Sequence, residues 1–128
     1  MKIALILTIL NSLNLYAHGE NMAGPHGGFI RMPGAYHVEV LPKSESLYHV
    51  YLMNVGNKDP KTDQSFVLFN YRLDKKIVNF ICLPKTEYFE CSTKDKLDFK
   101  KGELVLKTKR GETIGDEAIY SLPLELKK

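Results

Sequence analysis

No tryptophan and only two cysteines occur in these 128 residues. Neither sign of charge dominates: 18 Lys and Arg against 15 Asp and Glu leave a net charge of +3, spread along the chain. So thin an excess gives no signal of a nucleic-acid surface. The chain contains no Gly-x-Ser-x-Gly elbow, no Walker loop and no His-Glu-x-x-His, so no nucleophile–base pair points to an enzyme. A blue-copper centre needs a free Cys followed by His and then Met, and no His lies downstream of Cys91. Residues 36–126 carry no amphipathic helical period, and the chain has neither internal repeats nor a low-complexity tract. The length suits one domain and excludes a TIM barrel, a two-domain enzyme or a multi-span membrane protein. Six Phe and seven Tyr still supply bulk for one core.

The amino terminus bears on location. Met1 and Lys2 precede an apolar run, Ile3 to Leu10, broken only by Thr8, and Leu15-Tyr16-Ala17 ends in a small residue. A basic start, a short apolar stretch and a small-residue exit read as a secretory signal peptide over residues 1–17. The run falls short of the roughly 20 apolar residues that a membrane-spanning helix needs. No Cys stands directly after the cut, so a lipid anchor is not supported. The expectation is a periplasmic or secreted protein with no membrane span in its mature chain, which begins at His18. An oxidising compartment favours a disulfide between Cys82 and Cys91. A hairpin turning about Thr86-Glu87 sets them opposite each other, and closing so short a loop contributes ~2–3 kcal/mol. The alternative, a thiolate metal site, requires thiols that stay reduced after export.

Residues 36–128 read as strands. Tyr36 to Leu41 alternates, with Tyr36, Val38 and Val40 on one face and His37 and Glu39 on the other. Pro42 to Ser46 reads as a turn, and Leu47 to Met53 alternates again. Further stretches are Phe66 to Leu73, Ile77 to Leu83, Glu87 to Ser92, Leu104 to Lys109 and Ala118 to Leu126. About seven strands with turn signals every 8–12 residues predict an all-β, antiparallel, immunoglobulin-like sandwich. Lys107 and Lys109 are the kind of charge that protects an edge strand.

The segment before the sandwich, residues 18–35, is a Gly/His/Met-rich leader. Three of the four His and two of the four Met fall within residues 18–37, among five Gly. Imidazole and thioether bind soft or borderline metals, copper above all, and glycines let such side chains converge. The candidate ligands are His26 and His37 first, then His18, Met22 and Met32. His49 alternates with Tyr51 and Met53 along the next strand, and a favourable register places His49 and Met53 on the face of His37. Taken alone, Met53 reads as core. An amino-terminal His18 offers its amine and Nδ1 to one Cu(II), with His26 or His37 completing the set. The plainer alternative is a flexible leader whose histidines ligate nothing.

Gly24-Pro25-His26-Gly27-Gly28, followed by Gly34-Ala35-Tyr36-His37-Val38-Glu39-Val40, resembles a pattern of small exported bacterial proteins. It is also similar to a β-rich domain in the periplasmic adaptor subunits of heavy-metal efflux pumps of the resistance-nodulation-division class. The later Leu83-Pro84 and Tyr88-Phe89-Glu90 look like that family's hairpin. Only His26, Gly27, Gly28, Tyr36, His37 and Glu39 carry over by position. The resemblance implies an immunoglobulin-like sandwich and a link to metal handling. The coiled-coil hairpin and lipoyl-like parts of an adaptor are missing. Two functions are expected from these readings: an accessory protein holding copper or zinc for sequestration or hand-off to an envelope efflux component, or a non-catalytic envelope interaction module without metal.

Overall fold

A computed structural model describes residues 22–125. The predicted signal peptide, residues 1–17, and His18 lie outside the described residues. The described chain is all-β: β1 Phe29–Arg31, β2 His37–Ser44, β3 Leu47–Met53, β4 Phe66–Leu73, β5 Lys76–Asn79, β6 Ile81–Pro84, β7 Phe89–Ser92, β8 Glu103–Arg110, β9 Thr113–Ile114 and β10 Ala118–Ser121. Two antiparallel sheets result, one ordered β1-β2-β3-β7-β6 and the other β10-β8-β4-β5, with β9 paired to β8. No helix among the described residues is long and apolar enough to cross a membrane.

Alternation dictates which way each strand faces. Val38 and Val40 of β2 and Tyr48, Val50 and Leu52 of β3 turn inward. They meet Val67, Phe69 and Tyr71 of β4, Leu104 and Leu106 of β8, and Tyr120 of β10 in one core between the sheets. Polar tips tie the layers together. The Tyr120 hydroxyl donates to the Phe29 and Val38 carbonyls, and Arg110 Nε donates to the Leu52 carbonyl. Tyr36 reaches Thr108 Oγ1 across the sandwich. Burial holds the Tyr36 phenol above its ordinary pKa, against the opposing hydrogen bond from Thr108.

Several expectations change. The described residues hold ten strands rather than about seven. The stretch expected as one strand over Ile77 to Leu83 is two: β5 pairs with β4 in one sheet and β6 with β7 in the other. Phe80 occupies the corner between them, its amide donating to Phe69 O. Val78, Phe80 and Cys82 all pack toward the core, so the apolar period runs unbroken through the corner and carries no mark of it. The expected turn at Pro42 begins too early, because β2 continues to Ser44 with a register shift between Pro42 and Ser44. Lys107 and Lys109 do not guard an edge: β8 lies between β10 and β4. The last strand stops at Ser121 rather than Leu126; Pro123 has no N–H to donate to a ladder. Part of the leader is built into the fold, since β1 pairs with β2 and Ala23 bridges Phe29.

The cysteine expectation holds. Cys82 and Cys91 are cross-strand partners on β6 and β7 and form a disulfide. Cys91 is fully buried against the core, so the bond clamps an outer strand to it. Replacing both by Ala is expected to lower unfolding free energy by about 2–3 kcal/mol in urea denaturation. No measurable loss would contradict a stabilising staple.

Candidate functional site

The face of the first sheet turned away from the core is where the unusual residues gather. On β2 it carries His37, Glu39 and Leu41, and on β3 His49, Tyr51 and Met53. The register sets His37 opposite Met53, Glu39 opposite Tyr51 and Leu41 opposite His49. β1 adds Ile30 opposite Glu39, and β7 adds Glu90 opposite His49. Ile30, Tyr51 and Met53 form a second small apolar cluster here, with Leu41 and Tyr88 packed against it.

Glu39 lies inside that apolar surface with 0% exposure. A carboxyl group so placed requires partners, and the leader's glycine-rich motif supplies them. Residues 24–28 form a hairpin turn: Gly27 N donates to Gly24 O, and Gly24 N donates to Gly28 O. Pro25 suits the position after Gly24, and Gly27 adopts φ +85°, a conformation that favours glycine. The turn presents its amides to the carboxylate. His26 N donates to Glu39 Oε2 at 3.0 Å and Gly28 N donates to the same oxygen at 2.8 Å. The other oxygen, Oε1, stands 2.6 Å from His26 Nδ1.

Two glycines are required by closeness rather than by dihedral angle. A Cβ on Gly24 would stand 2.2 Å from Glu39 Cδ, and one on Gly28 would stand 2.5 Å from Val40 O. His26 then lies flat on Tyr51, ring centroids 3.6 Å apart and planes 7° from parallel. Beyond it Tyr51 leans on Tyr88, and Tyr88 stacks on His49 at 4.0 Å. Burial first, then Glu39, raises the Tyr51 pKa above its ordinary value. Burial first, then Lys43, lowers that of His49 below 6.5, with Glu90 opposing.

A carboxylate oxygen only accepts, so Nδ1 of His26 carries the hydrogen of this contact, and Nε2 is the ring nitrogen that Glu39 does not engage. The His26 side chain is 31% exposed, while its partner carboxylate is fully enclosed. His37 follows the same plan. Its Nδ1 lies 2.6 Å from Asn57 Oδ1, and an amide oxygen again leaves the hydrogen on Nδ1. Asn57 is set on the β3–β4 loop with φ 58°, in a turn where Asn54 Oδ1 accepts from the Gly56 and Lys58 amides.

Of the sequence candidates, His26, His37 and His49 therefore belong to one sheet face. Met32 directly follows β1 and is half-buried. Met22 is 60% exposed and joins the hairpin through its backbone, Ile30 N donating to Met22 O. Among the described residues no three His, Cys, Asp or Glu side chains are grouped to hold an ion by themselves. Cys82 and Cys91 are joined to each other, which removes the thiolate alternative. Reasoning from sequence did not find the roles of Tyr51, Tyr88 or Asn57. Glu39 was placed on the correct face, but nothing in alternation shows that a glutamate is enclosed. Compared with known proteins, the chain matches no family model, no curated protein and no solved structure.

Truncating Glu39→Ala leaves the His26 and Gly28 amides without their acceptor. Each buried donor left unmade costs roughly 1–3 kcal/mol. Chemical denaturation is expected to show a loss in that range or above it. A change within about 0.5 kcal/mol, the size of an ordinary surface substitution, would contradict the clasp.

Proposed function

We propose that the protein is an exported, non-catalytic binder of a transition-metal ion, copper or zinc, with His26 as its leading ligand. One observation carries the reading: His26 is mounted on a fully buried carboxylate through Nδ1, while its own side chain stays 31% exposed. Metal-binding histidines commonly donate their other ring N–H to a carboxylate, which fixes the tautomer and raises ligand basicity. His37, held through Nδ1 by Asn57, supplies a second imidazole on the same sheet face. The aromatic stack restrains His26 further, so little side-chain freedom remains to be lost on binding. His18, Met22 and Met32 are further donors from the leader in this reading.

The two-sheet architecture supports the immunoglobulin-like sandwich that the resemblance implies. The disulfide fits an exported protein. Sequestration, or hand-off to an envelope efflux component, is the role in keeping with a binder that has no nucleophile–base pair. The competing reading is an interaction module of the envelope without metal. It draws on exposed Ile81 and Leu83, both on β6 at the end of the first sheet.

Titration of the purified protein with Zn(II) and Cu(II) tests the choice. Saturable binding that His26→Ala abolishes is expected. Glu39→Gln is the sharper variant. Its amide oxygen can still accept from the two backbone N–H groups, while its NH2 group opposes the hydrogen on Nδ1. A 10–100-fold loss of affinity with the fold retained is expected, as for other partners of metal-bound histidines. No binding by the unmutated protein would overturn the proposal in favour of the interaction module.

A further inference from the structure

We infer that a cleft at one end of the sandwich binds a small, uncharged, largely apolar molecule bearing a carbonyl oxygen, which takes a hydrogen bond from Tyr48. The inference is independent of the metal-binding reading, because the cleft is built from other residues.

The cleft lies where the β2–β3 turn, the connection from β7 to β8 and the segment after β10 come together, and its volume is about 430 Å³. Sites for small molecules usually have roughly 300–1,000 Å³. Phe99, Leu122 and Leu124 line it, each half-buried and packed against the core. Lys43 and Glu45, both exposed, line it from the β2–β3 turn.

Tyr48 carries the inference. Four tyrosines belong to the main core, Tyr36, Tyr48, Tyr71 and Tyr120. Three of them commit their hydroxyls to the protein. Tyr36 meets Thr108, Tyr71 donates to the Asp98 and Lys101 carbonyls, and Tyr120 donates to those of Phe29 and Val38. Tyr48 is 2% exposed and its ring packs on Phe69, Phe80 and Phe99. Its hydroxyl meets no hydrogen-bond partner among the described residues. Among these residues no side-chain polar atom without a partner is sealed from solvent, so the hydroxyl reaches an opening, and the cleft is the opening that Tyr48 lines. Phenylalanine would serve the ring packing alone, without a polar group to satisfy.

The chemistry of the occupant follows from these groups. Burial first, then Glu45, raises the Tyr48 pKa, so the phenol keeps its proton and offers it as a donor. A carbonyl oxygen is the complement. No single charge is selected, since Lys43 and Glu45 oppose each other. The apolar walls penalise an ion, and Glu45 repels an anionic oxygen at the phenol.

The experiment is an amide NMR titration of the protein and of Tyr48→Phe with acetophenone and with ethylbenzene, which has a similar shape but no carbonyl oxygen. Acetophenone is expected to shift the amides of residues 43–45, 99, 122 and 124 saturably. Tyr48→Phe is expected to weaken acetophenone roughly fivefold and to leave ethylbenzene unchanged, the signature of one hydrogen bond to the hydroxyl. The spectrum of the variant itself shows whether the fold is retained. Absence of saturable shifts at those amides, shifts centred elsewhere, or an equal effect of Tyr48→Phe on both probes would overturn the inference. The metal titrations are unaffected by any of these outcomes.

Discussion

A fully enclosed carboxylate, that of Glu39, organises the outer face of this protein. Its two oxygens take two backbone amides and one imidazole nitrogen, all from a five-residue turn whose glycines are needed for the approach. Without that turn, an acidic group would sit in an apolar patch beside Ile30 and Tyr51 with nothing to satisfy it. Without the carboxylate, the turn would have amides facing apolar surface. Each requires the other, and His26 is oriented as a consequence. The clasp thus links a local motif, Gly-Pro-His-Gly-Gly, to a residue 13 positions away from its histidine.

The same logic recurs in milder form at His37. There the acceptor is an amide oxygen from a loop that hydrogen-bonds to itself through Asn54. Two imidazoles with the same nitrogen committed and the same nitrogen released is a pattern that packing alone does not require. The aromatic residues around them have a supporting role. Tyr51 and Tyr88 fill the space between His26 and His49, and their ring faces limit how far either imidazole can swing.

How far the sequence could be read follows from which signals are local. Alternation along 36–41 and 47–53 separated Val38, Val40, Val50 and Leu52 from His37, Glu39, His49 and Met53, because period two is a property of one strand. The hairpin joining Cys82 to Cys91 was legible for the same reason, its turn residues lying between them. What eluded the sequence depends on distant partners. The corner at Phe80 has no turn residue, since the apolar period simply continues into the second sheet. The central place of β8 is decided by its pairing with β4 and β10, which its lysines do not reveal. From sequence the leader reads as a source of ligands ahead of the fold, whereas residues 22–31 fold back as a hairpin and edge strand. The burial of Glu39 depends on that hairpin lying across it, and no pattern within β2 announces it.

The central claim is that the carboxylate of Glu39 sets the tautomer of His26, and nitrogen-15 NMR of the imidazole tests it most directly. The account predicts a ring whose Nδ1 keeps its hydrogen, bonded to Glu39, together with slow exchange of the His26 and Gly28 amides. A ring whose hydrogen sits on Nε2 alone, or averaging between tautomers with amides exchanging as in an open loop, would contradict it.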